Sequence, residues 1–230
     1  MLFGTSTHAA PFSDRRKAGE ELASKLGRYA NRPEVVVLAL PRGGVPVAFE
    51  VAEALGVDLD IFLVRKLGMP GHPEYAMGAI ATGGVRVLNE EAIGWYRIPE
   101  AVIDAVVAEE QLELERREQA YRDGGRAASI EGRVVILVDD GLATGSSMRA
   151  AVTAVRRLGP SRIVVAVPVG APSTCRELQQ IADDVVYAHT PEPFSAVGQW
   201  YVNFSQTGDE EVRSLLKAHS DALRARRTRA

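Results

Sequence analysis

The amino-acid sequence predicts an α/β fold with a doubly wound, mainly parallel sheet flanked by helices. Two observations lead to this class. Short runs rich in β-branched residues alternate along the chain with longer segments of helical periodicity. The runs are almost continuously apolar, which is typical of parallel strands covered on both faces. The 230 residues are 46% hydrophobic and 25% charged, and this balance fits a single domain over residues 1–230.

The strand predictions rest on five apolar runs. They occupy residues 35–40, 59–64, 134–138, 163–167 and 184–187. Each run has the length of an ordinary strand, and turn-forming or helical segments separate it from the next run.

Helices are predicted between these runs, over residues 14–30, 45–55 and 146–158, because each segment carries apolar side chains along one stripe. The last of the three should end at Gly159, since the following proline cannot continue a helix. The spacing of Thr174 and Glu177 fits a capping box and predicts the start of a further helix.

Four segments interrupt this alternation. Residues 67–84 are rich in glycine and proline and predict a long loop with one short strand at 75–81. Residues 99–123 predict an inserted, charged helix with a solvated face, the alternatives being a cap or a dimer contact. Residues 190–207 follow the last predicted strand and are rich in aromatic side chains. Residues 223–230 are a basic tail, either frayed and solvated or an arm for nucleic acid.

The composition excludes several classes of function. A formal net charge of −3 argues against a basic nucleic-acid-binding surface, so no nucleic-acid partner is expected. The single cysteine, Cys175, allows no intrachain disulfide and is interpreted as a structural thiol. No apolar run approaches the ~20 residues of a membrane span, and the first residues lack a signal-peptide pattern. A soluble, cytoplasmic protein without a membrane partner is therefore expected.

The most informative stretch is residues 134–147. A buried strand delivers Asp139 and Asp140 to its carboxyl end, where ligands of open α/β sheets bind. A short turn follows, and a helix then begins among the hydroxyls of Thr144, Ser146 and Ser147. A helix N-terminus suits a phosphate, and adjacent carboxylates suit paired sugar hydroxyls. These residues together predict a site for a ribose 5-phosphate.

Two competing nucleotide-binding motifs are absent. A nucleoside triphosphatase needs a glycine-rich loop ending in lysine, and none of the four lysines of the chain follows a glycine. The G-x-G-x-x-G pattern of dinucleotide-binding folds is missing too.

Residues 134–147 resemble the phosphoribosyl-pyrophosphate signature of type I phosphoribosyltransferases. The resemblance implies that Asp139 and Asp140 bind the ribose hydroxyls. It also implies a loop around the 5-phosphate, formed by Ala143, Thr144, Gly145, Ser146 and Ser147. Gly141 departs from the family pattern, where an aliphatic residue is more usual. The similarity spans residues 12–216 and is greatest to bacterial members whose acceptor is unassigned.

The same resemblance assigns the pyrophosphate-binding elements. Residues 41–44 look like the pyrophosphate loop, formed by Pro41, Arg42, Gly43 and Gly44. Glycine at such a turn lets backbone N–H groups approach a diphosphate. Arg65 and Lys66 end the next predicted strand and are expected to be catalytic, with Arg gripping diphosphate through two hydrogen bonds and Lys as a point charge. The resemblance also implies that residues 67–84 are a mobile loop, which closes over the substrate and excludes water.

The acceptor end carries less information. The resemblance implies a hood over the base, and residues 190–207 are the candidate C-terminal hood. Its Phe194, Trp200 and Tyr201 could stack on a base, although ordinary packing explains them equally well. Hypoxanthine–guanine members of the family carry an acid where this chain has Ala143, which argues against that subgroup.

The resulting hypothesis is an enzyme that transfers a 5-phosphoribosyl group from phosphoribosyl pyrophosphate to a nitrogenous base and releases pyrophosphate. The family resemblance implies Mg²⁺ bound mainly through the substrate, and a homodimer. A non-catalytic sensor of phosphoribosyl pyrophosphate or a nucleotide is the alternative, and hydrolysis with water as the acceptor is a third hypothesis.

Overall fold

The computed structural model describes residues 11–69, 71–122 and 127–229, except for the side chains of residues 73, 74, 227 and 229. Its central strands are β1 (Val35–Ala39), β2 (Asp58–Ile61), β6 (Val134–Val138), β7 (Arg162–Val169) and β8 (Asp184–His189). They form one parallel five-stranded sheet in the order β2-β1-β6-β7-β8. The predicted fold class is confirmed.

Helices cover both faces of this sheet. Val35 and Val37 of β1 face a core shared with α1 (Arg15–Ser24), α2 (Gly44–Leu55) and α7 (Asp209–Arg229). Val36 and Leu38 point the other way, toward α5 (Ser146–Arg157) and α6 (Pro172–Leu178). The alternation follows from the two-residue repeat of a strand. Because both faces are buried, β1 is apolar at every position, which is the pattern the sequence analysis used.

The prediction of a long loop over residues 67–84 is wrong, although the short strand predicted at 75–81 lies within an observed strand. This segment belongs to a second, antiparallel sheet of β3 (Val64–Met69), β4 (His72–Ala81) and β5 (Val85–Leu88). Leu67, Met77 and Ile80 are buried in the main core, and this burial outweighs the loop signal of the glycines and prolines. Residue 70 lies outside the described residues, and the mobility of the segment stays a prediction.

The charged segment does form a helix, α4 (Glu100–Arg122), preceded by the short α3 (Glu90–Tyr96). Its buried residues are Ile103, Leu114 and Tyr121, so most of its surface is solvated. Residue 123, the last of the predicted inserted segment, lies outside the described residues.

Several element boundaries differ from the predictions. Helix α1 ends at Ser24, and residues Gly27–Tyr29 form a separate 3-10 helix. Helix α6 begins at Pro172, so Thr174 lies inside it and the predicted capping box is wrong.

The basic segment over residues 223–229 is not a frayed tail, because it continues helix α7, while residue 230 lies outside the described part. Among the described residues, no helix combines the length and the apolar character that crossing a bilayer requires.

Candidate functional site

The two signature carboxylates lie at the carboxyl end of β6 and are partly buried. Asp139 Oδ1 accepts the backbone N–H of Asp140 at 2.8 Å. Burial raises the pKa of Asp139 well above its usual range, and the neighbouring charge of Asp140 adds to that shift. Burial also raises the pKa of Asp140, although the positive charge of Arg15 opposes the effect. Two close carboxyls of this kind do not ionise independently.

Arg15 is a site residue that the sequence analysis missed. Its Nε and Nη2 atoms each lie 2.9 Å from Oδ2 of Asp140. The guanidinium carbon lies 4.0 Å from the centre of the Phe204 ring, an arrangement typical of a cation–π contact. Arg15 precedes Asp140 by 125 residues and stands at an ordinary helix start, so no local signal could reveal this pair.

The predicted pyrophosphate loop connects β1 to α2 and contacts the acids directly. A Cβ atom at position 43 would overlap Oδ2 of Asp140, so only glycine permits this approach. Nη1 of Arg42 lies 3.5 Å from Oδ1 of Asp209, which also accepts the Tyr121 hydroxyl at 2.8 Å. The loop is therefore connected to α4 and α7 as well as to the signature.

The predicted 5-phosphate loop leads into the N-terminus of α5. Thr144, Ser146 and Ser147 are exposed there, and the Thr144 and Ser146 hydroxyls lie 3.2 Å apart. Thr174 of α6 stabilises the loop, because its hydroxyl donates a hydrogen bond to the Ala143 carbonyl at 2.6 Å. Hydroxyls and unpaired N–H groups at a helix start are donors suited to a phosphate.

Gly141, the departure from the family pattern, has a packing explanation. A Cβ atom at this position would lie 2.6 Å from Cγ1 of Val197 in the hood. Absence of a side chain therefore lets the hood pack directly against the turn that follows the two acids.

A small pocket of about 90 Å³ lies between Asp139 and the second sheet. Its lining includes Pro41, Arg65, Leu114, Arg117, Asp139 and Ser147. Arg65 pairs with Glu110 and lies 3.9 Å from Oε1 of Glu113, while Arg117 Nε donates to that same oxygen at 2.7 Å. Of the two predicted cations, Arg65 reaches this pocket, whereas Lys66 is exposed on β3 and does not line it.

Arg117 was also missed, because α4 was interpreted from its charge pattern as a solvated helix. The helix is solvated over most of its length, yet Leu114 and Arg117 face the pocket that contains Asp139. The helical periodicity of the sequence does not distinguish this pocket-lining arginine from the adjacent Arg116, whose side chain is 65% exposed.

The hood brings together Phe194, Trp200 and Tyr201 in different environments. Phe194 and Trp200 are half-buried and stacked, with ring centres 6.3 Å apart. Tyr201 is only 5% exposed, and its hydroxyl donates to the Asp140 carbonyl at 2.6 Å. Burial raises the pKa of this hydroxyl. Its ring contacts Phe12 and Phe204, so the predicted base-stacking role does not fit Tyr201, whereas it stays a prediction for Phe194 and Trp200.

A larger cavity of about 1030 Å³ lies between β2, the end of α4 and α7. None of the predicted site residues lines it. Its buried charges are paired with each other, as in Arg122 with Asp60 at 3.0 Å. The smaller pocket, which contains the signature acid, is therefore the candidate site.

The fold and the site define a class of protein: an α/β protein with a carboxylate pair, a hydroxyl-bearing helix start and a glycine loop at the carboxyl edge of a parallel sheet. Residues 13–198 match the family described as the phosphoribosyl transferase domain. The chain belongs to this family.

Relatives of the chain carry similar descriptions. Over 215 residues it is 46% identical to "Putative phosphoribosyl transferase Rv0571c" of Mycobacterium tuberculosis strain H37Rv, covering 93% of this chain and 48% of that protein. The chain thus spans about half the length of that curated relative. It is 33% identical to "Bifunctional protein PyrR" of Chloroflexus aurantiacus over 129 residues, which are 55% of this chain and 65% of that one.

A solved structure confirms the architecture. The crystal structure of the protein TT1426 from Thermus thermophilus is 44% identical in sequence and superimposes with a TM-score of 0.79. The match covers 90% of this chain and 97% of that chain.

Proposed function

We propose that the protein transfers a 5-phosphoribosyl group from phosphoribosyl pyrophosphate to a nitrogenous base and releases pyrophosphate. One observation carries the proposal: Asp139 lines one pocket together with Ser147 from the start of α5 and Arg65 from the second sheet. Membership of the phosphoribosyl transferase domain family supports the same chemistry.

In this proposal the signature residues bind and orient the ribose phosphate. Asp139 and Asp140 accept hydrogen bonds from the two ribose hydroxyls, because an ionised carboxylate is an acceptor only. Backbone N–H groups at the start of α5, with Thr144, Ser146 and Ser147, hold the 5-phosphate. Fixing both ends of the sugar aligns its reactive carbon with the acceptor, a contribution that comes from positioning.

The leaving pyrophosphate would bind to the other side of the pocket. Gly44 already donates its N–H to the Leu40 carbonyl at 3.1 Å, so Gly43 is the proposed backbone donor of the loop. Arg65 and Arg117 offer guanidinium groups. In the structure Glu110 and Glu113 neutralise these two arginines. A diphosphate would compete with these carboxylates, and the cations would stabilise the negative charge that develops as the bond to the sugar breaks.

The resemblance to type I members also implies Mg²⁺. No group of three or more metal-binding side chains occurs among the described residues. We propose that the ion is bound mainly through phosphoribosyl pyrophosphate, because Mg²⁺ usually keeps several waters and takes few ligands from the protein. When bound with the diphosphate, the ion would neutralise part of the leaving group's charge.

The acceptor proposed is a planar nitrogenous base placed against Phe194 and Trp200. Ala143 supplies no acid to the base, so we do not expect a preference for hypoxanthine or guanine. A homodimer, implied by the same resemblance, is part of the proposal and can be tested by light scattering.

Calorimetry with phosphoribosyl pyrophosphate and Mg²⁺, followed by a panel of purine and pyrimidine bases with pyrophosphate detection, tests the proposal. Binding with base-dependent pyrophosphate release is the expected result. Binding without release for any base would favour a sensor, release without any base would favour hydrolysis, and absence of binding would overturn the assignment. The variant carrying both D139N and D140N should keep its fold and lose the binding.

A further inference from the structure

Arg15 contacts one carboxylate oxygen of Asp140, Oδ2, and does not contact the other, Oδ1. Nε and Nη2 of Arg15 both bond Oδ2, each at 2.9 Å. On its other side the same oxygen meets the backbone of Gly43, so closely that a Cβ atom there would overlap it. Oδ2 is therefore enclosed between α1 and the pyrophosphate loop, and Oδ1 is the carboxylate oxygen that Arg15 does not engage.

Arg15 itself is held rigidly, and its side chain is only 11% exposed. Its Nη1 donates to the Ser205 carbonyl at 2.7 Å, and its guanidinium stacks 4.0 Å from the centre of the Phe204 ring. The ring of Tyr201 in turn stacks on Phe204, and the Tyr201 hydroxyl donates a hydrogen bond to the backbone carbonyl of Asp140. The hood thus holds both Arg15 and the acid that Arg15 contacts.

We propose that Arg15 is a positioning residue of the ribose site, which binds Oδ2 of Asp140 and turns Oδ1 toward a ribose hydroxyl. This inference rests on the proposed function. It assigns a role to the N-terminal helix and to Tyr201 and Phe204 of the hood: they orient the sugar-binding acid and do not stack on the acceptor base.

Charge gives Arg15 a second effect. The ionisable side chains that face Asp140 from the described elements are Asp139 beside it, Arg15 from α1 and Tyr201 from the hood. Burial and Asp139 favour a proton on the pair, and Arg15 is the cation that opposes this. Ionised Asp140 can accept a hydroxyl hydrogen bond through either lone pair of Oδ1, whereas a protonated carboxyl loses part of that capacity.

The test compares R15Q and R15K with the matched control R16Q. Arg16 is the adjacent residue on α1, but it is 61% exposed and pairs with Glu50. Affinity for phosphoribosyl pyrophosphate is measured by calorimetry across a pH series, with thermal unfolding of each variant to confirm the fold.

R15Q should bind roughly tenfold or more weakly, because the acid loses its charged hydrogen-bond partner. As the pH is lowered, R15Q should also lose affinity at a higher pH than the wild type does, because Asp140 without Arg15 takes up a proton more readily. R15K keeps the charge, so its pH midpoint should stay near that of the wild type, and R16Q should match the wild type in both respects.

Two results would overturn the role of Arg15. The first is that R15Q and R16Q have the same affinity and the same pH midpoint. The second is that R15Q binds more weakly with an unchanged pH midpoint, because a merely structural contact would give that result. A wild-type protein that fails to bind phosphoribosyl pyrophosphate would instead overturn the proposed function. Titration of ¹³C-labelled aspartate carboxyls without ligand separates the cases, since an Asp140 pKa that does not rise in R15Q contradicts the inference whatever the ligand is.

Discussion

At the level of single residues, three polar groups of Asp140 each have a separate partner. Oδ2 bonds Arg15, the backbone N–H donates to Asp139, and the carbonyl accepts the Tyr201 hydroxyl. These contacts come from α1, β6 and the hood, and the Gly43 backbone approaches from a fourth direction. A carboxylate held this way is preorganised for a ligand, since little rearrangement is needed on binding.

Replacing Gly43 with alanine tests this packing. The added Cβ would overlap Asp140 Oδ2 and displace the carboxylate or the loop, so affinity for phosphoribosyl pyrophosphate should fall by roughly tenfold or more, the effect of one lost charged hydrogen bond. G27A is the matched control, because a Cβ atom there meets nothing within 4 Å. Calorimetry measures both, and a G43A protein that binds as tightly as G27A would contradict the close approach.

Burial of the charged Asp139 carboxylate should lower the free energy of unfolding. A carboxyl with a raised native pKa binds its proton more tightly when folded, so stability falls as the pH rises from the unfolded pKa toward the native one. D139N removes this cost and keeps an oxygen acceptor for the N–H of Asp140. We expect the variant to gain stability relative to the wild type as pH rises, by on the order of 1 kcal/mol, and to gain nothing in acid.

Urea unfolding across a pH series measures this difference. Asp14, the N-cap of α1, gives a control of opposite sign, because its hydrogen bond from the Lys17 backbone lowers its pKa. D14N should therefore not gain stability as pH rises. A D139N protein whose stability follows the wild type at every pH would show that the burial of Asp139 does not destabilise the fold.

At the scale of elements, the added sheet and α4 complete one side of the site. Strand β3 carries Arg65 and α4 carries Arg117 into the pocket. Glu113 of α4 accepts a hydrogen bond from Arg117 and lies 3.9 Å from Arg65. The central strands and the signature were predictable, since continuous apolar runs and adjacent acids are local signals. Of the second sheet only the strand at 75–81 was predicted, because buried Leu67 and Met77 become informative only when α4 packs on these strands. Arg15 and Arg117 reach the site through long-range contacts, which no local pattern records.

Arg117 and Arg116 form a natural pair for testing this arrangement. Both bond Glu113, but only Arg117 lines the pocket with Asp139. R117A should weaken binding of inorganic pyrophosphate by roughly tenfold, the scale of one charge-assisted contact, while R116A should leave it unchanged. Competition calorimetry with pyrophosphate measures both, and equal affinities would remove α4 from the binding site.

At the scale of the whole molecule, α7 joins the two ends of α2. Near its start, Asp209 lies beside Arg42 of the pyrophosphate loop. Further along, His219 is 2% exposed, with Nδ1 2.6 Å from Glu53 and Nε2 2.9 Å from the Val57 carbonyl. Arg226, in the segment expected to fray, bonds the other Glu53 oxygen at 2.7 Å. One carboxylate of α2 therefore holds two cationic or polar side chains of α7.

Removing that carboxylate should loosen α7 from the core. In E53A the buried His219 ring loses one of its two partners, and unpaired buried polar groups of this kind cost about 1–3 kcal/mol. E211A is the matched control, because Glu211 is exposed on α7 itself. Urea unfolding should show a clear loss in the free energy of unfolding for E53A and almost none for E211A.

Hydrogen exchange localises the effect. Amides of the second half of α7 should lose protection in E53A, while those of β1 and β6, which are buried on both faces of the sheet, should exchange only through global unfolding. Equal stability of the two variants would mean that apolar contacts such as that of buried Val212 hold α7 without this ion pair.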